Sequence, residues 1–317
     1  MRLAVVILVF VAACVGLSLA GNPYALRLAT TGLMYASLAL SWNVIGGYCG
    51  YPSFATAAFF GVGAYTGAIV QNAGLPVWLA WLAAPLVSAA LAATIGSAIL
   101  RLHGHYFAVG SLVVPEVLRE IVNSAAGLTG GGMGLNIPVL RFSIQQQGSL
   151  FLAAMGIVTV AALVLTVQID RGRLGVAFRC IEQNESAAVM IGVNATLYKV
   201  IAFTLSGLVA GAVGGVYANW INYIDPSDAF DVLISVKPIV MVMLGGAGTV
   251  YGPLLGAGLF VLLEEIVWRN FLTIHTGILG LIIVLLILFL PQGAARLSPL
   301  TLMRILKPRR MCAEGQS

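Results

Sequence analysis

Charged residues are scarce in this sequence of 317 residues. Asp, Glu, Lys and Arg make up 9% of it, where a soluble domain has roughly 25%, and the apolar set AVILMFWYC makes up 60%. The mean hydropathy of the chain is +1.01. A water-soluble globule, a disordered chain and a coiled coil are therefore excluded. The composition predicts an all-α polytopic bundle in a membrane, long enough for about ten spans of roughly 20 residues each.

Side chains suited to nucleotide binding, metal binding or catalysis are also few. The three lysines follow Tyr, Val and Leu, so the sequence lacks the Gly-Lys pair of a phosphate-binding Walker loop. His103 and His105 have no further ligand near them in sequence to complete a metal site. Wide spacing argues against a disulfide framework for the four cysteines, which are Cys14, Cys49, Cys180 and Cys312. We expect a protein that is not an enzyme and needs no cofactor or metal.

Apolar runs of spanning length recur along the chain, separated by Gly, Pro or charged residues. Ten runs are candidate spans: 3–20, 26–46, 54–71, 77–100, 105–123, 150–169, 199–220, 233–246, 253–268 and 277–291. The sequence GGAGTVYGP at 245–253 divides two short runs, a pattern typical of broken or re-entrant helices. We expect about 8–10 transmembrane helices, counting such broken segments. They would form one transmembrane domain over residues 1–295, followed by a basic tail at 296–317.

Cations concentrate on one predicted side of the membrane. If all ten runs cross, 11 of the 16 Lys and Arg residues share a side with both termini and with the loop at 170–198. The positive-inside rule therefore predicts that this loop and both termini are cytoplasmic. The tail holds five of these cations directly after a span, which favours contact with the lipid bilayer over nucleic-acid binding.

The N-terminal residues 1–20 allow a second interpretation. Their apolar stretch ends in Ser18-Leu19-Ala20, which resembles a signal-peptide cleavage site. Cleavage would leave nine spans and would not change the orientation predicted for the rest of the chain.

Glycines recur at helical spacing in two parts of the sequence. Gly207, Gly211 and Gly215 lie four residues apart, and a second set repeats in the same way near the break at 245–253. Such faces allow close helix packing in lipid, which is the interpretation that the spacing favours. The alternative is that small residues near the break expose backbone groups to a transport cavity. The glycines assigned to helix packing or to the pathway are Gly61, Gly63, Gly67, Gly245, Gly246, Gly248 and Gly252.

Ionisable residues inside the predicted spans are few and therefore informative. Glu116 and Arg119 are three residues apart, so on a helix they lie side by side. We expect an intramembrane ion pair there, with a proton relay at Glu116 as the alternative. Glu264 and Glu265 lie near the end of another run and are expected at a membrane interface, while Lys237 is placed within a third run.

The longest polar segment between spans is the loop at 170–199. Its sequence predicts a helix from about 175 to 190 with one modestly apolar face, ending near Gly192. A short surface helix of this kind can dock in a groove of a soluble partner. The alternative is a solvated linker.

This loop also resembles part of a known family. ESAAVMIGVN at 185–194 resembles the cytoplasmic EAA-type loop of ABC-transporter permeases, and the preceding RGRLGVAFRCIEQNE is similar to its extended form in branched-chain amino-acid permeases. Further blocks similar to that family follow its order: GGYCGYPSFATAAFFGVGAYTGA, RLHGHYFAVGSL, LTGGGMGL, YKVIAFTLSGLVAGAVGGVYA, VMLGGAGTVYGPLLGAGLFVLLEE and LFLPQGA. The LTGG block indicates the longer of the two permease types.

The resemblance implies the membrane subunit of an ATP-driven importer in a bacterial inner membrane. In such importers a second homologous permease completes the pathway, two cytoplasmic ABC ATPase subunits supply energy, and a periplasmic binding protein delivers the substrate. Carried onto this sequence, the ATPase-coupling positions are Glu185, Ala187, Ala188 and Gly192, with Gly175, Arg179, Glu182 and Asn184 in support. Closure of the ATPases would move this helix and reorient the permease subunits.

One block departs from the family pattern. Tyr51 stands where Gln is expected, with Pro52 beside it, and Ala57 stands where His is usual. A pathway lined by this block would be more apolar, which suits branched-chain or related amino acids and equally another cargo such as urea or a short amide. An autonomous secondary transporter is the alternative from another functional class.

Overall fold

Helices make up nearly all the regular structure. The computed structural model describes residues 22–270, apart from His103 and Arg141, together with the isolated positions 16, 18, 277 and 280. All eight predicted runs that fall within residues 22–270 are helical, which confirms the predicted all-α polytopic membrane bundle.

Three predicted segments lie outside this part of the chain. The first and last candidate spans, 3–20 and 277–291, fall almost entirely beyond the described residues. The predicted basic tail at 296–317 falls wholly beyond them.

The elements follow one another closely along the chain. Helix α1 is Pro23–Trp42 and continues as a π-helical segment, Asn43–Tyr48. Helices α2, α3 and α4 are Thr56–Asn72, Val77–Ile99 and His105–Ser124. A short irregular region then contains α5 at Ala126–Thr129, a 3-10 helix at Gly131–Met133 and strand β1 at Leu135–Asn136. Helices α6 to α9 are Ile144–Arg171, Arg173–Gln183, Glu185–Met190 and Ala195–Ile221. Strand β2 is Tyr223–Ile224, and α10 to α12 are Pro226–Ala229, Leu233–Gly245 and Gly252–Asn270.

Several helices are long enough to cross a bilayer. Within the described residues, four combine sufficient length and apolar character: Pro23–Tyr48, Val77–Ile99, Gln145–Arg171 and Ala195–Ile221. These four have 26, 23, 27 and 27 residues. A helix of roughly 20 residues spans the hydrocarbon core, so each is sufficient.

Helices α11 and α12 form a hairpin that confirms the predicted break. Helix α11 has 13 residues. At 1.5 Å per residue it is about 20 Å long, short of the roughly 30 Å hydrocarbon core. Between the two helices Gly246 and Gly248 have φ values of 112° and 70°, which glycine adopts without steric cost. The turn lies against the start of the π-helical segment that continues α1, because Asn43 accepts a hydrogen bond from Gly248 N at 2.9 Å and donates one to Thr249 O at 3.0 Å.

Small residues set the packing of α2, α3 and α9. A Cβ atom at Gly67 would lie 3.2 Å from the carbonyl oxygen of Gly215. One turn earlier, a Cβ atom at Gly63 would overlap the backbone of Gly211. In lipid, association depends on such close van der Waals contact because hydrophobic exclusion is absent.

The connecting segments gather at two opposite ends of the bundle. At one end, residues 49–55 contact α7 and α8, and we call this the α7–α8 end. At the other, β1 and β2 pair antiparallel with Leu135 opposite Ile224. We call this the β-pair end. The long helices alternate between the two ends, so the polar loop between α6 and α9 lies at one end only.

Candidate functional site

The polar loop folds as two helices. The single helix predicted over about 175–190 is wrong in this respect, because Asn184 interrupts it with extended backbone angles, φ −163° and ψ 107°. The Asn184 side chain accepts a hydrogen bond from Ala187 N at 3.0 Å and so caps α8. Asparagine favours this capping geometry over a helix interior, which explains the break.

Helix α7 is attached to the end of α6. Arg179 pairs with Asp170, and its guanidinium lies 5.7 Å from the centroid of the Tyr48 ring. Gly175 is buried where α7 passes the end of α6, and a Cβ atom there would overlap the Ile169 carbonyl. The backbone of α7 therefore approaches α6 more closely than any residue with a side chain allows.

Helix α8 is attached to α9 and to the α1–α2 connection by a buried lysine. The Lys199 side chain is 1% exposed, and its Nζ donates to Glu185 Oε1 at 2.6 Å and to Tyr51 Oη at 3.2 Å. The Tyr51 hydroxyl also donates to Glu185, and the ammonium group lies 4.7 Å from the Tyr51 ring centroid. We call Tyr51, Glu185 and Lys199 the lysine cluster. A buried ammonium needs such partners because desolvation without them is costly.

Burial changes the titration of two groups in the α1–α2 connection. It raises the pKa of the Cys49 thiol to about 12. Burial, together with the hydrogen bond to Glu185, also raises the pKa of the Tyr51 hydroxyl above its ordinary value. Both groups are therefore neutral at physiological pH, and Tyr51 acts as a hydrogen-bond donor.

The outer surface of α8 is apolar. Met190 is 87% exposed, and its neighbours Val189 and Ile191 are exposed as well. Helix α8 ends at Met190, and Gly192 follows two residues later with a φ of 90°, in the left-handed region. Of the remaining predicted coupling positions, Ala188 is buried, and the exposed ones are Arg179, Glu182, Asn184, Ala187 and Gly192. The loop thus presents an apolar tip on a polar base.

The predicted packing or pathway glycines lie at close contacts between helices. A Cβ atom at Gly61 would overlap the Phe230 ring, and Gly63 and Gly67 face α9. Gly245 and Gly252 face each other across the α11–α12 hairpin, whose turn contains Gly246 and Gly248. A role of these glycines in the pathway stays a prediction.

Besides Asp170–Arg179 and Glu185–Lys199, two further ion pairs lie on helices within the described residues. Arg119 contacts Glu116 on α4, where both side chains are partly exposed, and the role of this pair in the membrane stays a prediction. Lys237 pairs with Glu264 at 2.8 Å, beside the ring of Tyr35. The expectation that Glu264 lies at a membrane interface stays a prediction; its partner Lys237 lies beside Tyr35, near the middle of the continuous helix Pro23–Tyr48.

Sequence reasoning missed the partner of Lys237 and the lysine cluster. The available signal was the presence of two lysines in apolar helices, since a lysine in hydrocarbon requires a partner. Within residues 22–270, apart from the two undescribed positions, no three His, Cys, Asp or Glu side chains come together as metal ligands. His103 lies outside the described residues.

The family of the chain follows from comparison with known proteins. Residues 24–290 match the model of the family described as the permease component of the branched-chain amino acid transport system. The chain belongs to this family. This permease component is accordingly a multi-pass membrane protein, in agreement with its long apolar helices.

Named relatives support the same assignment for this permease component. The high-affinity branched-chain amino acid transport system permease protein LivM of Salmonella typhimurium is 30% identical over 92% of this chain and 72% of its own length. LivM of Escherichia coli strain K12 is 29% identical over 84% and 68%. LivH of the same E. coli strain is 22% identical over 83% and 92%. No solved structure matches the chain significantly.

Proposed function

We propose that this permease component is a subunit of an ATP-driven importer for branched-chain or related amino acids, coupled to separate ATPase subunits through α7 and α8. The lysine cluster carries the proposal. It attaches the exposed α8 to the long helix α9 and to the connection that begins α2. A force on the tip of α8 is therefore transmitted to two helices of the bundle.

The surface of α8 supports docking by helix-in-groove contact. Its apolar tip, with Met190 and Ile191 exposed, offers the side chains that such a groove would bury. Closure of the two ATPases on nucleotide binding would then move α7 and α8 together, since both are attached to the bundle. The shift of the bundle between inward-facing and outward-facing states follows from that movement.

The proposed assembly contains four kinds of partner. A second homologous permease forms the pathway with this chain, two cytoplasmic ABC ATPases dock on α7 and α8, a periplasmic binding protein delivers the substrate, and the lipid bilayer surrounds the bundle. No nucleic acid takes part. We place the α7–α8 end, both termini and the tail at 296–317 in the cytoplasm of a bacterium, with residues 1–295 as one domain in the inner membrane.

The test is reconstitution of the chain with its partner permease, ATPases and binding protein in liposomes. We expect ATP-dependent uptake of L-leucine, L-isoleucine or L-valine, and no uptake when the ATPases are omitted. Uptake by this chain alone, driven by an ion gradient, would show an autonomous secondary transporter instead. Competition of uptake by urea or acetamide, without competition by leucine, would assign the other cargo.

A further inference from the structure

The Lys237–Glu264 ion pair lies where α1, α11 and α12 meet, apart from the coupling site. Lys237 Nζ is 2.8 Å from Glu264 Oε1 and 5.2 Å from the centroid of the Tyr35 ring. The two side chains are 25% and 36% exposed, so the pair is partly open at the surface of this chain.

Contacts along α1 place the pair near the middle of a helix that is long enough to span the membrane. Tyr35 is near the middle of the 26-residue helix Pro23–Tyr48. Toward its first end, Tyr24 donates a hydrogen bond to Glu265, and toward its second end, Asn43 accepts one from Gly248. The ion pair lies between these two contacts. Charges exposed to hydrocarbon at this depth are costly, so the open side of the pair faces water or protein rather than lipid.

We propose that this ion pair is a binding site in the translocation pathway for the charged groups of a zwitterionic amino acid. The inference rests on the proposed function, because it assigns part of the pathway to the cargo of the importer. The substrate ammonium donates hydrogen bonds to Glu264, and Lys237 donates to the substrate carboxylate. Each charge exchanges one partner for another, so none is left unpaired during transit.

The surroundings of the pair suit an aliphatic side chain. Val240 follows Lys237 by one helical turn, and Val261 precedes Glu264 by one turn, so each lies on the same helix face as its charged neighbour. Both valines belong to an apolar cluster that includes Phe260. The Tyr35 ring beside the ammonium holds Lys237 by a cation–π contact.

The experiment measures uptake of L-leucine by the complete complex in liposomes, normalised to the amount of assembled complex. We expect Lys237→Gln and Glu264→Gln each to lower kcat/KM by about tenfold or more, the effect of one lost charge-assisted hydrogen bond. The reversed pair, Lys237→Glu with Glu264→Lys, should not restore uptake, because the substrate would then bind with its side chain turned away from the apolar cluster. As a matched control, Glu116→Gln with Arg119→Gln should transport like the parent chain.

Three outcomes would overturn the proposal. Normal uptake by both single variants removes the site, and restoration by the reversed pair shows a purely structural ion pair. If a neutralised variant does not assemble, Lys237→Arg decides, since it keeps the pair but displaces the charge: a raised KM for leucine supports the site, and an unchanged KM overturns it. If the parent complex does not transport leucine, the proposed function itself is wrong. That result is obtained before any variant is measured, so it is distinguished from failure of the proposed site.

Discussion

A buried charge lies at the start of α9, within the proposed coupling site. Lys199 is almost fully enclosed, and its ammonium group has Glu185 and Tyr51 as partners. Removal of one partner from a buried pair is far more costly than replacement of both by apolar groups. The lysine cluster can therefore be tested by comparing a variant that removes one partner with a variant that replaces both.

The first prediction concerns thermal stability. Glu185→Leu should destabilise the purified chain by about 3 kcal/mol, because Lys199 loses its carboxylate. The double variant Glu185→Leu with Lys199→Met should recover most of that loss. Thermal unfolding of the single and double variants measures the difference, and equal midpoints for both would contradict the pairing.

The second prediction concerns thiol reactivity. Cys49 is buried and the pKa of its thiol is raised to about 12, so the reactive thiolate is scarce at neutral pH. Cys180 on α7 is only partly buried. In variants that each retain one of these two cysteines, maleimide should modify Cys180 much faster than Cys49. Rapid labelling of Cys49 in the folded chain would show that the α1–α2 connection is open.

At the scale of elements, glycine allows contacts that other residues prevent. Helices α2 and α9 approach through Gly63 and Gly211, whereas Gly32 on α1 has no heavy atom within 4 Å of a Cβ position. Gly63 and Gly32 therefore differ in the space around them, although both lie in apolar helices. Replacing each of them by the same residue separates the effect of helix packing from the effect of helix propensity.

The third prediction uses this contrast. Gly63→Leu should destabilise the bundle by about 1–3 kcal/mol or more, because the side chain has no space between the helices. Gly32→Leu is the matched control and should fold with normal yield. Yield and thermal midpoint in detergent measure both variants. Equal behaviour of the two would argue against the packing of α2 on α9.

The fourth prediction concerns the end of α8. Gly192 has a φ of 90° and open space around it, so replacement affects the backbone alone. Gly192→Ile should disturb the α8 tip and abolish the coupling of ATP hydrolysis to uptake, while membrane insertion stays normal. Gly192→Asn should retain much of the coupling, since Asn tolerates left-handed backbone better than a β-branched residue. Identical ATPase stimulation in both variants would contradict this role.

At the scale of the whole molecule, the alternation of the helices fixes which connections share a side. The α7–α8 end holds residues 49–55 and the polar loop, and the β-pair end holds β1 and β2. The positive-inside rule predicts that the α7–α8 end is cytoplasmic.

The fifth prediction tests that orientation. Met190→Cys, in a chain whose four native cysteines are replaced, should react with a membrane-impermeant maleimide in inverted vesicles and not in intact spheroplasts. Tyr223→Cys, at the β-pair end, should show the opposite pattern because Tyr223 is exposed there. Reaction of Met190→Cys from the periplasm would exclude docking of a cytoplasmic ATPase on α8.

The features that the sequence predicts correctly are those that depend on residues within one helix or one turn. Every candidate run within 22–270 is a helix, and the hairpin turn lies at the glycines of 245–253, because apolar length and backbone freedom act locally. The division of the polar loop at Asn184 escaped prediction, because a side-chain cap competes there with a helix that the spacing alone allows.

The sequence by itself determined a helical membrane protein, its broken hairpin and a polar loop that resembles that of ABC permeases, since these depend on composition and short-range pattern. Only the tertiary structure decided which charges distant in sequence meet. Tyr51 and Glu185 are 134 residues apart, and Lys237 and Glu264 are 27 apart. No periodicity relates such positions. Their contact is set by how the helices pack, and the cost of leaving a charge unpaired in an apolar interior then selects the partner.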